Sequence, residues 1–333
     1  MRGAPATPGQ VRLGATRRLR RRAMAVLCGI ALVLLPACAP GGDASAAPVE
    51  IAGGDPSGVY YNYGAHLASA AERELGLNIA VAETRGSVEN LQRVGSGEAD
   101  FGFAQGDTTV DAVVGQGSFG IALPIRSVAR VYDEYVHIVV PEESDIDSLG
   151  DLVGHRVSLG AEGSGVQVIA GRVLEAAGVD PSSLTNAALG LDDSLAAMGD
   201  GSIEAFFWVG GLPTPGIERL RETVPLRLVP IGADVVEQVN EGHKGVYRTA
   251  EFPVGIYATE GSVITMTVPN YLITNASAPD PLVHDVLRVL FESRASIAQQ
   301  VTSAGFLDRR QAIFTSPIEL HPGAAEFYVA SRR

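Results

Sequence analysis

Cysteine is nearly absent from this sequence of 333 residues. There are two, Cys28 and Cys38, and none follows position 38. The body of the chain can therefore form no internal disulfide and holds no thiol nucleophile; its fold must rest on apolar burial alone. Lysine is scarcer still, with Lys244 the single example, and Trp208 is the only tryptophan. After the first 37 residues no apolar run is long enough to span a bilayer. There is no internal repeat and no low-complexity block. The motifs of common catalysts are also missing: no G-x-S-x-G elbow, no H-E-x-x-H, no phosphate-loop lysine. The six histidines (66, 137, 155, 243, 284 and 321) never pair at helical spacing, so they read as surface or hinge residues rather than metal ligands. Gly163-Ser164-Gly165 begins a dinucleotide fingerprint that Val168 then breaks. Neither cofactor nor metal is expected.

What is present begins with an export signal. Five arginines between Arg17 and Arg22 precede an apolar stretch from Ala23 to Leu35, the length of a signal-peptide core. The stretch ends in Leu35-Pro36-Ala37-Cys38, which resembles a bacterial lipobox, so Cys38 is the expected lipidation site and the new N-terminus. An ordinary cleavage after the small Ala37 is the alternative. Residues 38–48, rich in Ala, Gly and Pro, read as a flexible tether. The expected place is outside the cytoplasmic membrane, held to its outer face or free in the periplasm.

Seven arginines precede Cys38; without them 18 basic side chains face 38 acidic ones, a net charge of −20. A surface this acidic excludes binding to nucleic acid or anionic lipid through a basic patch. Mutual repulsion favours a monomer.

About 285 residues follow the tether, enough for two domains. Strand, small-residue loop and helix recur. Val49–Ala52 reads as a strand, residues 60–75 as a helix closed by Gly76, residues 78–82 as a strand and residues 87–94 as a helix. Residues 99–105 read as a strand, and Gly106-Asp107-Thr108 leads into another helix that runs through Val114. Residues 156–159 and 204–209 are strands in the second half. Residues 166–177 place Val166, Ile169, Ala170, Val173, Leu174 and Ala177 on one helical face. Asp180-Pro181 is a helix-start pair, Asp192-Asp193 opens another helix, and Asp280-Pro281 starts a long amphipathic one. The pattern implies open α/β sheets. Two longer apolar strands, Tyr135–Val140 and Thr267–Ile273, flank the middle of the chain and are read as a paired hinge. Lobe one is then residues 49–137 plus 270–333, and lobe two residues 138–269.

In such sheets ligands bind where strands end and helices begin, because the first turn of a helix offers unpaired N–H groups and partial positive charge. Four junctions combine Gly with Ser or Thr: residues 53–58, 83–87, 105–108 and 163–165. Taken singly, each is a turn or a cap. Four in one chain predict a cleft suited to a small carboxylate. Tyr60, Tyr61 and Trp208 are aromatic candidates to cover a solute, with core packing as the alternative.

Several segments in order resemble one family: Ile51–Ser69 (IAGGDPSGVYYNYGAHLAS), Glu83–Thr108 (ETRGSVENLQRVGSGEADFGFAQGDT), Val131–Pro141 (VYDEYVHIVVP), Val157–Val179, Ala205–Gly216 (AFFWVGGLPTPG) and His321–Tyr328 (HPGAAEFY). They resemble the TAXI family, solute-binding proteins of a class of TRAP (tripartite ATP-independent periplasmic) transporters. The resemblance implies a type II periplasmic-binding-protein fold, two lobes closing on a small carboxylate such as glutamate, glutamine or 2-oxoglutarate, and delivery to a TRAP-type membrane permease. It places the ligand on Ser57, Gly58, Tyr60, Tyr61, Ser87, Asn90, Gln105, Ser164, Gly165, Val166 and Trp208. Arg85 stands where a small residue is common and is a candidate carboxylate clamp; Trp208 stands where Phe is frequent. Presentation of the ligand to a membrane sensor kinase is the other reading. An enzyme is not expected.

Overall fold

The computed structural model describes residues 48–331 apart from 244, 259 and 260. The signal segment, Cys38 and nearly all of the tether lie outside the described residues. The strands are β1 (Val49–Gly54), β2 (Ile79–Glu83), β3 (Phe101–Gln105), β4 (Ile125–Pro141), β5 (Arg156–Ser158), β6 (Thr185–Asn186), β7 (Ala205–Gly210), β8 (Leu226–Leu228), β9 (Arg248–Glu251) and β10 (Ile264–Asn275). The helices are α1 (Val59–Leu75), α2 (Ser87–Ser96), α3 (Gly106–Val114), α4 (Gly165–Ala176), α5 (Leu191–Gly199), α6 (Pro215–Arg221), α7 (Ala233–His243), α8 (Asp280–Glu292), α9 (Arg294–Ala298), α10 (Arg309–Ala312) and α11 (Pro322–Ala330). No described helix is long and apolar enough to cross a membrane.

The strands join in the order β2-β1-β3-β10-β4-β7-β5-β6, with β8 added to β4 and β9 to β10. The outer trios are parallel, which requires the crossover helices the chain supplies. Between them run β4 and β10, antiparallel from Thr267 opposite Tyr135 to Asn275 opposite Ile125. These are the two long apolar strands anticipated from the sequence, and each extends beyond the span read there. Inside the sheet they are buried on both faces, so their hydrophobic runs are nearly continuous.

The apolar core divides at these strands. Two buried clusters draw only on residues up to 132 and from 271 onward, with Tyr63, Leu67, Phe103, Leu287 and Leu91 among them. Two others draw only on residues 136–268, including Ile138, Ile169, Leu174, Phe206 and Ile217.

Local signals explain most helix ends. Gly76 follows α1 at φ 67° and accepts the left-handed conformation that stops the helix. Ser164 caps α4 by accepting the Gln167 N–H at 3.1 Å. Asp180-Pro181 opens only a three-residue 3-10 turn: the Asp180 carboxylate accepts the Ser182 N–H, and the chain turns at once into β6. Two histidines are buried: His137 lies within the long strand read as a hinge, while His321 departs from a surface or hinge place. His137 is fully buried in β4, its Nδ1 at 2.9 Å from the Tyr135 carbonyl and its Nε2 at 3.1 Å from Tyr257 Oη. His321, also buried, caps α11 by accepting the Gly323 N–H through Nδ1.

Candidate functional site

A cavity of about 600 Å³ opens at the carboxyl ends of β1, β2 and β3 and faces residues of the 160–166, 188–191 and 207–210 segments. All four junctions singled out in the sequence reach it. First-turn residues of α1, α2, α4 and α5 line it through Gly58 to Tyr60, Gly86 and Ser87, Ser164 to Val166, and Gly190 and Leu191. The partial positive charge of four helix starts therefore lies at the border of one space.

Of the twelve residues expected to touch ligand, nine line the cavity: Gly58, Tyr60, Arg85, Ser87, Gln105, Ser164, Gly165, Val166 and Trp208. Ser57, Tyr61 and Asn90 do not. Ser57 sits at the rim, where its hydroxyl accepts from Arg219 Nη2 at 2.6 Å and its carbonyl from the Gly216 N–H. Tyr61 is half-buried on α1 outside the cavity. Asn90 lies beneath the floor: its Nδ2 donates to the Phe103 carbonyl at 2.8 Å and its Oδ1 accepts from Thr84. Thr84 in turn accepts the Gly54 N–H at 2.9 Å, so Asn90 ties the first two loops to β3.

Gly165 is required by close approach. A Cβ there would come within 2.0 Å of Gln105 Oε1 and 2.8 Å of Ser87 Cβ. Trp208 lays its ring beside Gly58, where a Cβ would meet it at 3.3 Å, and its Nε1 donates to Thr214 at 3.0 Å. Arg85 is engaged already: Nε donates to Glu89 at 2.8 Å and Nη1 to the Glu162 carbonyl at 3.2 Å. Although burial acts upward, these bonds and those from Arg93 hold the Glu89 carboxyl below its ordinary range.

The residue that sequence reasoning passed over is Glu134, in the middle of β4 and 1% exposed. Tyr60 donates to its Oε2 at 3.0 Å and Tyr132 to its Oε1 at 3.4 Å, while Asn270 Nδ2 donates to Tyr60 Oη at 2.5 Å. Burial pushes the Glu134 carboxyl up to about 8 despite hydrogen bonds from Gln105, Tyr60, Asn270 and Tyr132. An ionisable residue within an apolar strand was the available signal. No histidine or cysteine lines the cavity, and no cluster of three metal-ligating side chains occurs among the described residues.

Residues 51–329 match the NMT1-like family. The chain belongs to that family. Solved structures resemble this NMT1-like protein at low sequence identity. A structure described as a periplasmic transporter matches with a TM-score of 0.53 at 15% identity, covering 86% of this chain and 92% of its own. PhnD1 from Prochlorococcus marinus, in complex with methylphosphonate, matches at 0.51 and 12% identity, covering 85% and 95%. An ancestral arginine-binding protein bound to arginine matches at 0.50 and 14%, covering 77% and 99%. The fold is that of type II periplasmic binding proteins, a mixed α/β architecture around a central cleft.

Proposed function

We propose that this NMT1-like protein is an extracytoplasmic receptor of the TAXI type. It binds a small carboxylate (glutamate, glutamine or a 2-oxo acid) and delivers it to a TRAP-type membrane permease, while lipidated Cys38 holds it to the outer face of the membrane. The observation that carries this reading is the convergence of four helix starts on one cavity. Such an arrangement can hold a carboxylate on backbone N–H groups without a dedicated arginine.

The divided core supports two lobes meeting at β4 and β10. Contacts between the halves ring the cavity: Arg219 to Ser57, the Asp192 N–H to the Asp55 carboxylate at 3.1 Å, and Arg85 to the Glu162 carbonyl. A ligand touching both halves stabilises this closed form by its differential affinity for it. In the cavity Ser164 serves as a helix cap, its hydroxyl accepting the Gln167 N–H, a role that fits binding.

A thermal-shift screen against amino acids, dicarboxylates and 2-oxo acids tests the reading. A ligand at a hundredfold over its dissociation constant adds about 2.7 kcal/mol to stability. A selective upward shift with carboxylates is expected; none with any of them overturns the carboxylate class.

A further inference from the structure

The helix starts account for one end of a bound solute, and the acceptors deeper in the cavity describe another. Glu134 has a phenol donating to each carboxylate oxygen, which leaves further lone pairs free. Beside it stands Gln105, 2% exposed. Both side chains line the cavity. Gln105 Oε1 is buried and accepts no hydrogen bond. A buried acceptor without a donor costs free energy that a ligand N–H would recover.

The wider lining has the same sign. Asp55, Glu83, Glu89, Glu162 and Asp193 surround the space, and the one basic residue, Arg85, is spent on Glu89 and the Glu162 carbonyl. Such a field concentrates cations and repels a second negative charge on the solute.

We infer that the solute carries a protonated amine seated against the Glu134 carboxylate and Gln105 Oε1, and that its net charge is neutral or positive. Dicarboxylates and 2-oxo diacids are thereby disfavoured, since a second carboxylate at this position would meet Gln105 Oε1, Glu134 and an acidic lining with no free cation to offset them. An ammonium offers three donors and matches both acceptors. Its positive charge opposes the upward push of burial on the Glu134 carboxyl and favours the ionised form once bound. The inference rests on the reading of this cavity as the solute site.

The test is titration calorimetry of the full-length protein with L-glutamine, L-arginine, agmatine, 2-oxoglutarate and succinate, repeated on Glu134→Gln. In the wild type, at least one of the two amino acids is expected to bind, with 2-oxoglutarate and succinate at least about tenfold weaker. Glu134→Gln, checked for folding by circular dichroism, is expected to weaken amino-acid binding about ten- to a hundredfold. Wild-type binding of 2-oxoglutarate or succinate as tight as that of the amino acids overturns the inference and leaves the carboxylate reading standing. So does unchanged amino-acid affinity in Glu134→Gln. Agmatine binding as tightly as arginine overturns the carboxylate reading and leaves the amine site standing. No binding by any of the five overturns both.

Discussion

At the residue scale the most consequential side chain is Glu134. Its carboxyl is pushed up to about 8 in the folded protein, chiefly by burial. The folded state therefore holds the proton more tightly than the unfolded chain, whose carboxyl has an ordinary value. Stability from this group is complete below the unfolded value and is lost as pH rises through about 8. Glu134→Gln removes the titration. Melting curves of the ligand-free protein from pH 5 to 9 should show the variant gaining on the wild type as pH rises, by on the order of a few kcal/mol at the alkaline end. Parallel curves would contradict the burial of this charge. His137 acts at the other end: burial lowers its ring to about 4, so its contribution is lost as pH falls, and it cancels in the comparison of the two proteins. Gly165 makes a second residue-scale prediction. A methyl group there meets Gln105 and Ser87 across the cavity. Gly165→Ala should cost about 1–3 kcal/mol of closure, read as roughly ten- to a hundredfold weaker ligand binding, while the melting temperature of the empty protein changes little.

At the element scale, α3 and α4 are joined behind the cavity. Arg172 of α4 donates to Asp107 and, at 2.5 Å, to Asp111, both on α3. It also donates to Tyr247 Oη at 2.9 Å, and Tyr247 donates to Asp107 at 2.6 Å. The Asp107 side chain has no solvent exposure. Removing its cationic partner leaves a buried charge uncompensated, a loss of about 3–5 kcal/mol. The network spans the two cores, so that loss falls on closure. Arg172→Ala should weaken ligand affinity far more than it lowers the melting temperature of the empty protein; an equal loss in both would assign the network to the fold of one lobe. Much at this scale was legible in the sequence. The helix at 165–176 carries its apolar stripe openly, and α1 ends at its glycine. The strands β6, β8 and β9, of two to four residues, carry too little alternation to be seen. Short helices such as α10 are held by packing rather than periodicity.

At the scale of the whole molecule, the long antiparallel strands β4 and β10 are the continuous link between cores that otherwise share no buried residues. The proposed closure moves the two halves as units about this link. Small-angle scattering is expected to show the radius of gyration falling when ligand is added, and Arg172→Ala should diminish that change. An unchanged profile at saturating ligand would rule out closure as the coupling step.

The sequence by itself determined the alternation of strands and helices, the two long hinge strands, and the four small-residue junctions, because each depends on neighbours a few positions apart. It also determined the absence of disulfides in the body and the strong acidic excess. Only the tertiary structure decided which junctions face one another, that Asn90 lies under the cavity floor, and that Glu134 stands within it beside Gln105. Glu134 and Asn270 reach the same phenol from positions far apart in the chain, and Arg172 meets Asp107 across 65 residues. Such meetings follow from the order of strands in the sheet. Strand order is set by the sum of many weak long-range contacts, which no local pattern encodes.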